Sequence, residues 1–109
     1  MFTTEAEFET RAEQTLARLA DAIDEAVGDL LDVEFNGGIL TIDLESGGHY
    51  VINKHAASRQ IWMSSPKSGA LHFDHHETDG WVATSGAGTL PQILAMELSD
   101  ETGAPVSLN

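Results

Sequence analysis

The chain has 109 residues, 5 basic and 18 acidic, for a formal net charge of −13, and no cysteine. A chain this size makes one domain with one core, and a charge this negative repels nucleic acid and anionic lipid. The missing thiols exclude disulfides, thiolate zinc sites, thiol nucleophiles and cysteine-ligated clusters. No apolar run nears the ~20 residues that span a bilayer, and the acidic start, MFTTEAEFET, reads as neither signal nor transit peptide.

In chain order, Thr4 followed by Glu7 forms a capping-box pattern and predicts a helix over 4–28. Phe8, Ala12, Leu16, Leu19, Ile23, Ala26, Val27 and Leu30 recur in steps of three and four, one apolar stripe of an amphipathic helix. Asp21, Asp24 and Glu25 centre opposite that stripe, with Asp29 at its edge.

From residue 31 the period changes to two. Strands are predicted at 32–35, 39–44, 49–54, 59–64, 71–75 and 81–84, within a sheet region of 31–84. Asn36-Gly37-Gly38, Ser46-Gly47-Gly48, Pro66-Lys67-Ser68-Gly69 and Asp79-Gly80 supply turn chemistry between them, at the spacing of an antiparallel meander. Thr89 with Gln92 opens a second helix over 90–102, with Pro91 in its first turn and Gly103 as its stop. Residues 103–109 form a short tail. The fold class is α+β: a two-layer sandwich with two terminal helices on one face of a roughly six-stranded antiparallel sheet, one domain over 1–109.

One sheet face is then open. Alternation sends Ile52, Ile61, Met63, Leu71 and Phe73 inward, and Asn53, Gln60, Trp62 and His72 outward. A tryptophan among polar neighbours on an open face is a candidate protein-binding anchor, or else an ordinary part-exposed aromatic. Trp81, Met63 and Met96 are expected in the core.

Charge is uneven along the chain. Residues 1–34 hold ten acids and two bases, while residues 46–73 hold no acid and three bases, Lys54, Arg59 and Lys67. This predicts one acidic and one mildly basic surface. Asp21 and Glu25 are i,i+4 neighbours, ~6 Å apart at Cβ, and hard cations prefer such oxygen ligands. No EF-hand spacing is present and no histidine is interleaved, so a metal site there would be open, weak and poorly selective. The alternative is a solvated acidic face. His75 and His76 point to opposite faces and do not share an ion, and His49 and His55 read as surface residues. No nucleophile elbow or phosphate loop is present.

The chain resembles the frataxin family, which includes the bacterial CyaY proteins. The carriers are Asn36-Gly37-Gly38-Ile39-Leu40-Thr41-Ile42, Tyr50-Val51-Ile52-Asn53-Lys54 and the run Gln60-Ile61-Trp62-Met63-Ser64-Ser65-Pro66-Lys67-Ser68-Gly69. Trp81-Val82 and Leu90-Pro91-Gln92-Ile93-Leu94 follow in the family's order. The resemblance implies a helix–six-strand–helix sandwich with iron (Fe²⁺ or Fe³⁺) held on an acidic ridge matching Asp21, Asp24, Glu25, Asp29, Asp32 and Glu34. Other hard divalent cations compete there. It also implies a role in iron–sulfur cluster assembly, with the cysteine desulfurase and its scaffold protein docking on Asn53, Gln60, Trp62 and His72. Many mitochondrial members carry Arg at the position of His72. Members with longer tails cover the gap between the helices, so a short tail predicts lower stability. The implied setting is a bacterial cytoplasm and a monomer, with iron-dependent oligomers an open question. Three roles remain: an iron-binding regulator or iron donor, a metal-independent acidic interaction module, and a weak ferroxidase or iron store. The last lacks a Glu-x-x-His di-iron signature.

Overall fold

The computed structural model describes residues 4–108. Expectations that touch residues 1–3 and 109 lie outside it. The element order is α1 (Glu5–Val27), β1 (Leu31–Asn36), β2 (Ile39–Leu44), β3 (His49–His55), β4 (Gln60–Ser65), β5 (Gly69–His76), β6 (Gly80–Ala83) and α2 (Leu90–Thr102). The strands form one antiparallel meander in the order β1-β2-β3-β4-β5-β6. Both helices cover one face, and the other is open, as the alternation predicts.

Local chemistry sets the ends of these elements. Thr4 caps α1 by accepting the Glu7 N–H (3.1 Å), and Thr89 and Gln92 make a complete capping box on α2. Gly103 ends α2 in the left-handed region, at φ 72°. Gly37 and Gly38, both at positive φ (60° and 79°), form a two-residue turn that pairs Asn36 with Ile39.

The core lies between the layers. Phe8, Leu16, Leu19 and Ile23 of α1 and Leu90, Leu94 and Leu98 of α2 close over Leu40, Ile42, Tyr50, Ile52, Ile61, Met63 and Phe73, all buried. Trp81 is buried as expected. Its indole N–H donates to Thr15 Oγ1 (3.0 Å), and its ring meets Phe8 edge-on (6.1 Å), so its polar tip is satisfied inside.

Two expectations fail. Met96 is 61% exposed rather than in the core. At 100° per residue it sits ~200° from both Leu94 and Leu98, on the far side of α2. Leu30 (39% exposed) leaves the apolar stripe because α1 ends at Val27 and Leu30 no longer follows helical phase, and Ala26, in phase but in the last turn, is exposed. Leu71 points inward as expected, half-buried and packed against the core. The short tail is packed: Val106 and Leu108 are buried in the core cluster, and the Val106 N–H donates to Ser99 Oγ (3.1 Å).

A buried polar knot joins the layers. Glu97 of α2 is 6% exposed. Its Oε1 accepts from Tyr50 Oη (2.8 Å) and Ser65 Oγ (2.6 Å), while Ser65 Oγ accepts the N–H groups of Lys67 and Ser68. Burial, then the hydrogen bond to Glu97, pushes the Tyr50 hydroxyl far above its usual range. A buried carboxylate is tolerable because these donors surround it.

Candidate functional site

The open face is a set of cross-strand rows. Asn36, Ile39, Asn53, Trp62 and His72 lie side by side across five strands. The next row holds His55, Gln60, Asp74 and Val82. The Gln60–Asp74 contact is a hydrogen bond from Nε2 to Oδ1 (2.9 Å). Asn53, Gln60, Trp62 and His72, the four residues expected on this face, are thus brought together, all half-buried.

Trp62 is held on both faces. The His55 ring stacks on one side (centroids 3.6 Å, planes 8° apart) and the His72 ring on the other (4.2 Å, 8°). The indole N–H donates to Gln60 Oε1 (2.8 Å), and the His55 Nδ1 lies 2.6 Å from Ser58 Oγ. The rotamer is fixed by stacking and by a hydrogen-bond chain from indole through Gln60 to Asp74. Sequence reasoning missed His55, Asp74 and Ile39 as parts of this face. Ile39 is 44% exposed beside Asn53. The signal for His55 was present: one more residue of β3 alternation carries it to Trp62's side.

Both lysines of the basic region predicted for residues 46–73 pair with acids of the helix layer. Lys54 turns to the helix layer, its Nζ 3.3 Å from Glu9 and 3.8 Å from Glu13. Lys67 reaches Glu101 of α2 (3.5 Å). The open face is consequently polar and aromatic.

The six ridge residues are placed by the end of α1 and by β1. Asp21, Asp24, Glu25, Asp29, Asp32 and Glu34 are all exposed. Asp24 and Glu25 sit near the C-terminus of α1, whose last turn holds no base. The helix dipole is negative there, so carboxylates are unfavourable. Asp32 stands directly opposite Asp43 across β1 and β2, a like-charge pair that also costs stability. Sequence reasoning missed Asp43, although the Gly37-Gly38 turn sets that pairing. Among the described residues no group of three or more His, Asp or Glu converges as a metal site would require. The ridge is therefore a row of repelling carboxylates rather than a ready-made chelate.

His75 and His76 point to opposite faces. His75 lies on the helix side, edge-on to Trp81 (5.0 Å), and His76 is exposed. Burial, then the nearby Arg11 charge, holds the His75 imidazole below its usual pKa. Among the described residues no helix is long and apolar enough to cross a membrane.

The fold and its surfaces define a small two-layer α+β sandwich with an acidic edge and an aromatic open face. Residues 1–104 match the family model described as a frataxin-like domain, and the chain belongs to that family. It is 33% identical to the iron–sulfur cluster assembly protein CyaY of Pseudomonas fluorescens, with 100% of this chain and 98% of that protein covered. It is 38% identical to the mitochondrial frataxin of Caenorhabditis elegans, over 84% of this chain and 71% of that one. Against the mitochondrial frataxin of Arabidopsis thaliana (36% identity, 96% of this chain) it spans 59% of the relative's length. Among solved structures, a trimeric frataxin of the yeast Saccharomyces cerevisiae complexed with ferrous superposes with a TM-score of 0.74 at 32% identity, over 94% of this chain and 89% of that one. The frataxin of Psychromonas ingrahamii superposes with a TM-score of 0.87 at 20% identity, covering 98% and 99%, a likeness of fold alone.

Proposed function

We propose that this chain takes part in iron–sulfur cluster assembly as a non-catalytic protein that binds iron weakly on its acidic ridge and docks the cysteine desulfurase and its scaffold through the Trp62 face. Iron is its cargo or its signal, Fe²⁺ or Fe³⁺, and other hard cations compete for the same oxygens. Family membership supports the role in cluster assembly. The yeast relative complexed with ferrous supports iron as the ion. The near-complete match to the bacterial relative accords with a bacterial cytoplasmic setting.

The observation that carries the reading is the separation of two differently built surfaces on one sheet. At one edge, Asp32 opposes Asp43 beside an acidic helix end. At the centre, Trp62 is clamped between two imidazoles. A cation at the edge relieves carboxylate repulsion, while the centre offers a rigid aromatic platform with amide rims, the composition of a protein-docking hot spot.

Thermal melts under anaerobic conditions test the metal half. Fe²⁺ should raise the melting temperature beyond the effect of NaCl at equal ionic strength. Asp32→Asn with Asp43→Asn should raise the metal-free melting temperature and shrink the Fe²⁺ increment. An increment no larger than that of NaCl rejects iron binding. A second reading, an acidic interaction module without metal, is favoured by the lack of any convergent carboxylate trio among the described residues. It predicts desulfurase binding that is unchanged in chelator and lost on charge reversal at Glu25 and Asp29.

A further inference from the structure

We propose that the free edge of β1 is a strand-addition site for an extended, basic segment of another protein. The sheet order leaves β1 at one edge. On β2, the Leu44 N–H donates to Gly48 O (2.8 Å), on the β3 side. Alternation then turns the backbone groups of Ile39, Thr41 and Asp43 toward β1. Their partners Asn36, Glu34 and Asp32 face back to β2, which directs the N–H and C=O groups of Val33 and Phe35 away from the sheet. Among the described residues no other segment makes a backbone hydrogen bond to either.

The opposite edge differs. β6 has four residues, Val82 is bridged by Thr89, and the Ala83 N–H donates to Gly88 O (2.8 Å). Proteins blunt exposed edges with charged side chains, lysine above all, or with proline or a bulge; the charges of β1 are Asp32 and Glu34, which bar an acidic strand but not a basic one. β1, with sequence LDVEFN, has neither lysine nor proline, and it pairs with β2 residue for residue without a bulge.

The edge makes the site, and charge selects its occupant. Val33 and Phe35 are half-buried on the helix side, while Asp32 and Glu34 are exposed on the open face, with Asp43 one strand further in. An added strand places alternate residues against Val33 and Phe35, and the intervening ones against the carboxylates. A segment alternating apolar with Lys or Arg fits both rows. A second copy pairing through its own β1 would set acid against acid. The proposal stands independently of iron and of the Trp62 face.

Amide hydrogen exchange by NMR on the full chain tests it. The probes are a capped lysine–valine alternating peptide of about seven residues, a glutamate–valine version, and an oligolysine of equal length. The lysine–valine peptide should slow exchange at the Val33 and Phe35 amides by about tenfold or more, while the glutamate–valine peptide should leave them unchanged. Val33→Pro removes an edge donor but no ladder donor and should abolish this binding with its far-UV spectrum retained. If that variant fails to fold, exchange in the unaltered chain decides. Binding without slowing at Val33 and Phe35, equal affinity for oligolysine, unaltered peptide affinity in a folded Val33→Pro, or dimers of the chain in place of a peptide complex would each overturn the proposal.

Discussion

On the proposed docking face, Trp62 is immobilised before any partner arrives. Two stacked imidazoles and a hydrogen bond to Gln60 hold its ring, so little side-chain entropy remains to be lost on docking. Trp62→Ala should weaken binding to the desulfurase–scaffold complex by about 10- to 100-fold, the range of a central aromatic anchor, as read by calorimetry at a temperature where the variant is folded by far-UV spectrum. Unaltered affinity would remove Trp62 from the docking face. His75 makes a different prediction, about pH. Burial lowers its pKa in the fold, so the unfolded chain binds the proton first as pH falls. Its contribution is complete above the unfolded value of about 6.5 and is lost as pH drops through the folded value. Urea unfolding between about pH 7 and pH 5 should show stability falling more steeply in the parent chain than in His75→Gln. Equal slopes would contradict this.

Among the elements, all six strands and both helices were legible from period and turn chemistry. Legibility failed where a residue's role depended on its neighbours in space. Met96 shares its chemistry with core residues, but its angle on α2 sets it outside, whereas Glu97 falls within the Leu94–Leu98 stripe and is buried. That burial needs Tyr50 and Ser65 as donors from two strands, partners invisible to a pattern within α2. Asp43 likewise acquires meaning only through its register with Asp32. The tail was legible as short but not as packed. Because Leu108 is 4% exposed within the core cluster, Leu108→Ala should cost about 2 kcal/mol or more, measured by urea unfolding. A loss below ~0.5 kcal/mol, the size of a surface substitution, would show that the tail contributes little.

At the scale of the whole molecule, the charge of −13 is concentrated where the fold can least use it. Acids without a nearby base crowd the end of α1, and Asp32 faces Asp43 on the sheet edge. Sites that sacrifice stability in this way are candidates for function. The two bases whose contacts are clearest, Lys54 and Lys67, serve the helix layer, which leaves the aromatic face free of lysine. Acidic edge and aromatic centre are thus distinct surfaces of one sheet, and the proposed function assigns the ion to the first and the protein partner to the second. A proton–nitrogen NMR titration, with Fe²⁺ under anaerobic conditions and separately with the desulfurase, tests that division most directly. Fe²⁺ should broaden lines only at residues 21–34 and Asp43, and the desulfurase should cause changes that include residues 53–62 and His72. Fe²⁺ broadening centred on the His55–Trp62–His72 stack, or no broadening at the ridge, would contradict that division.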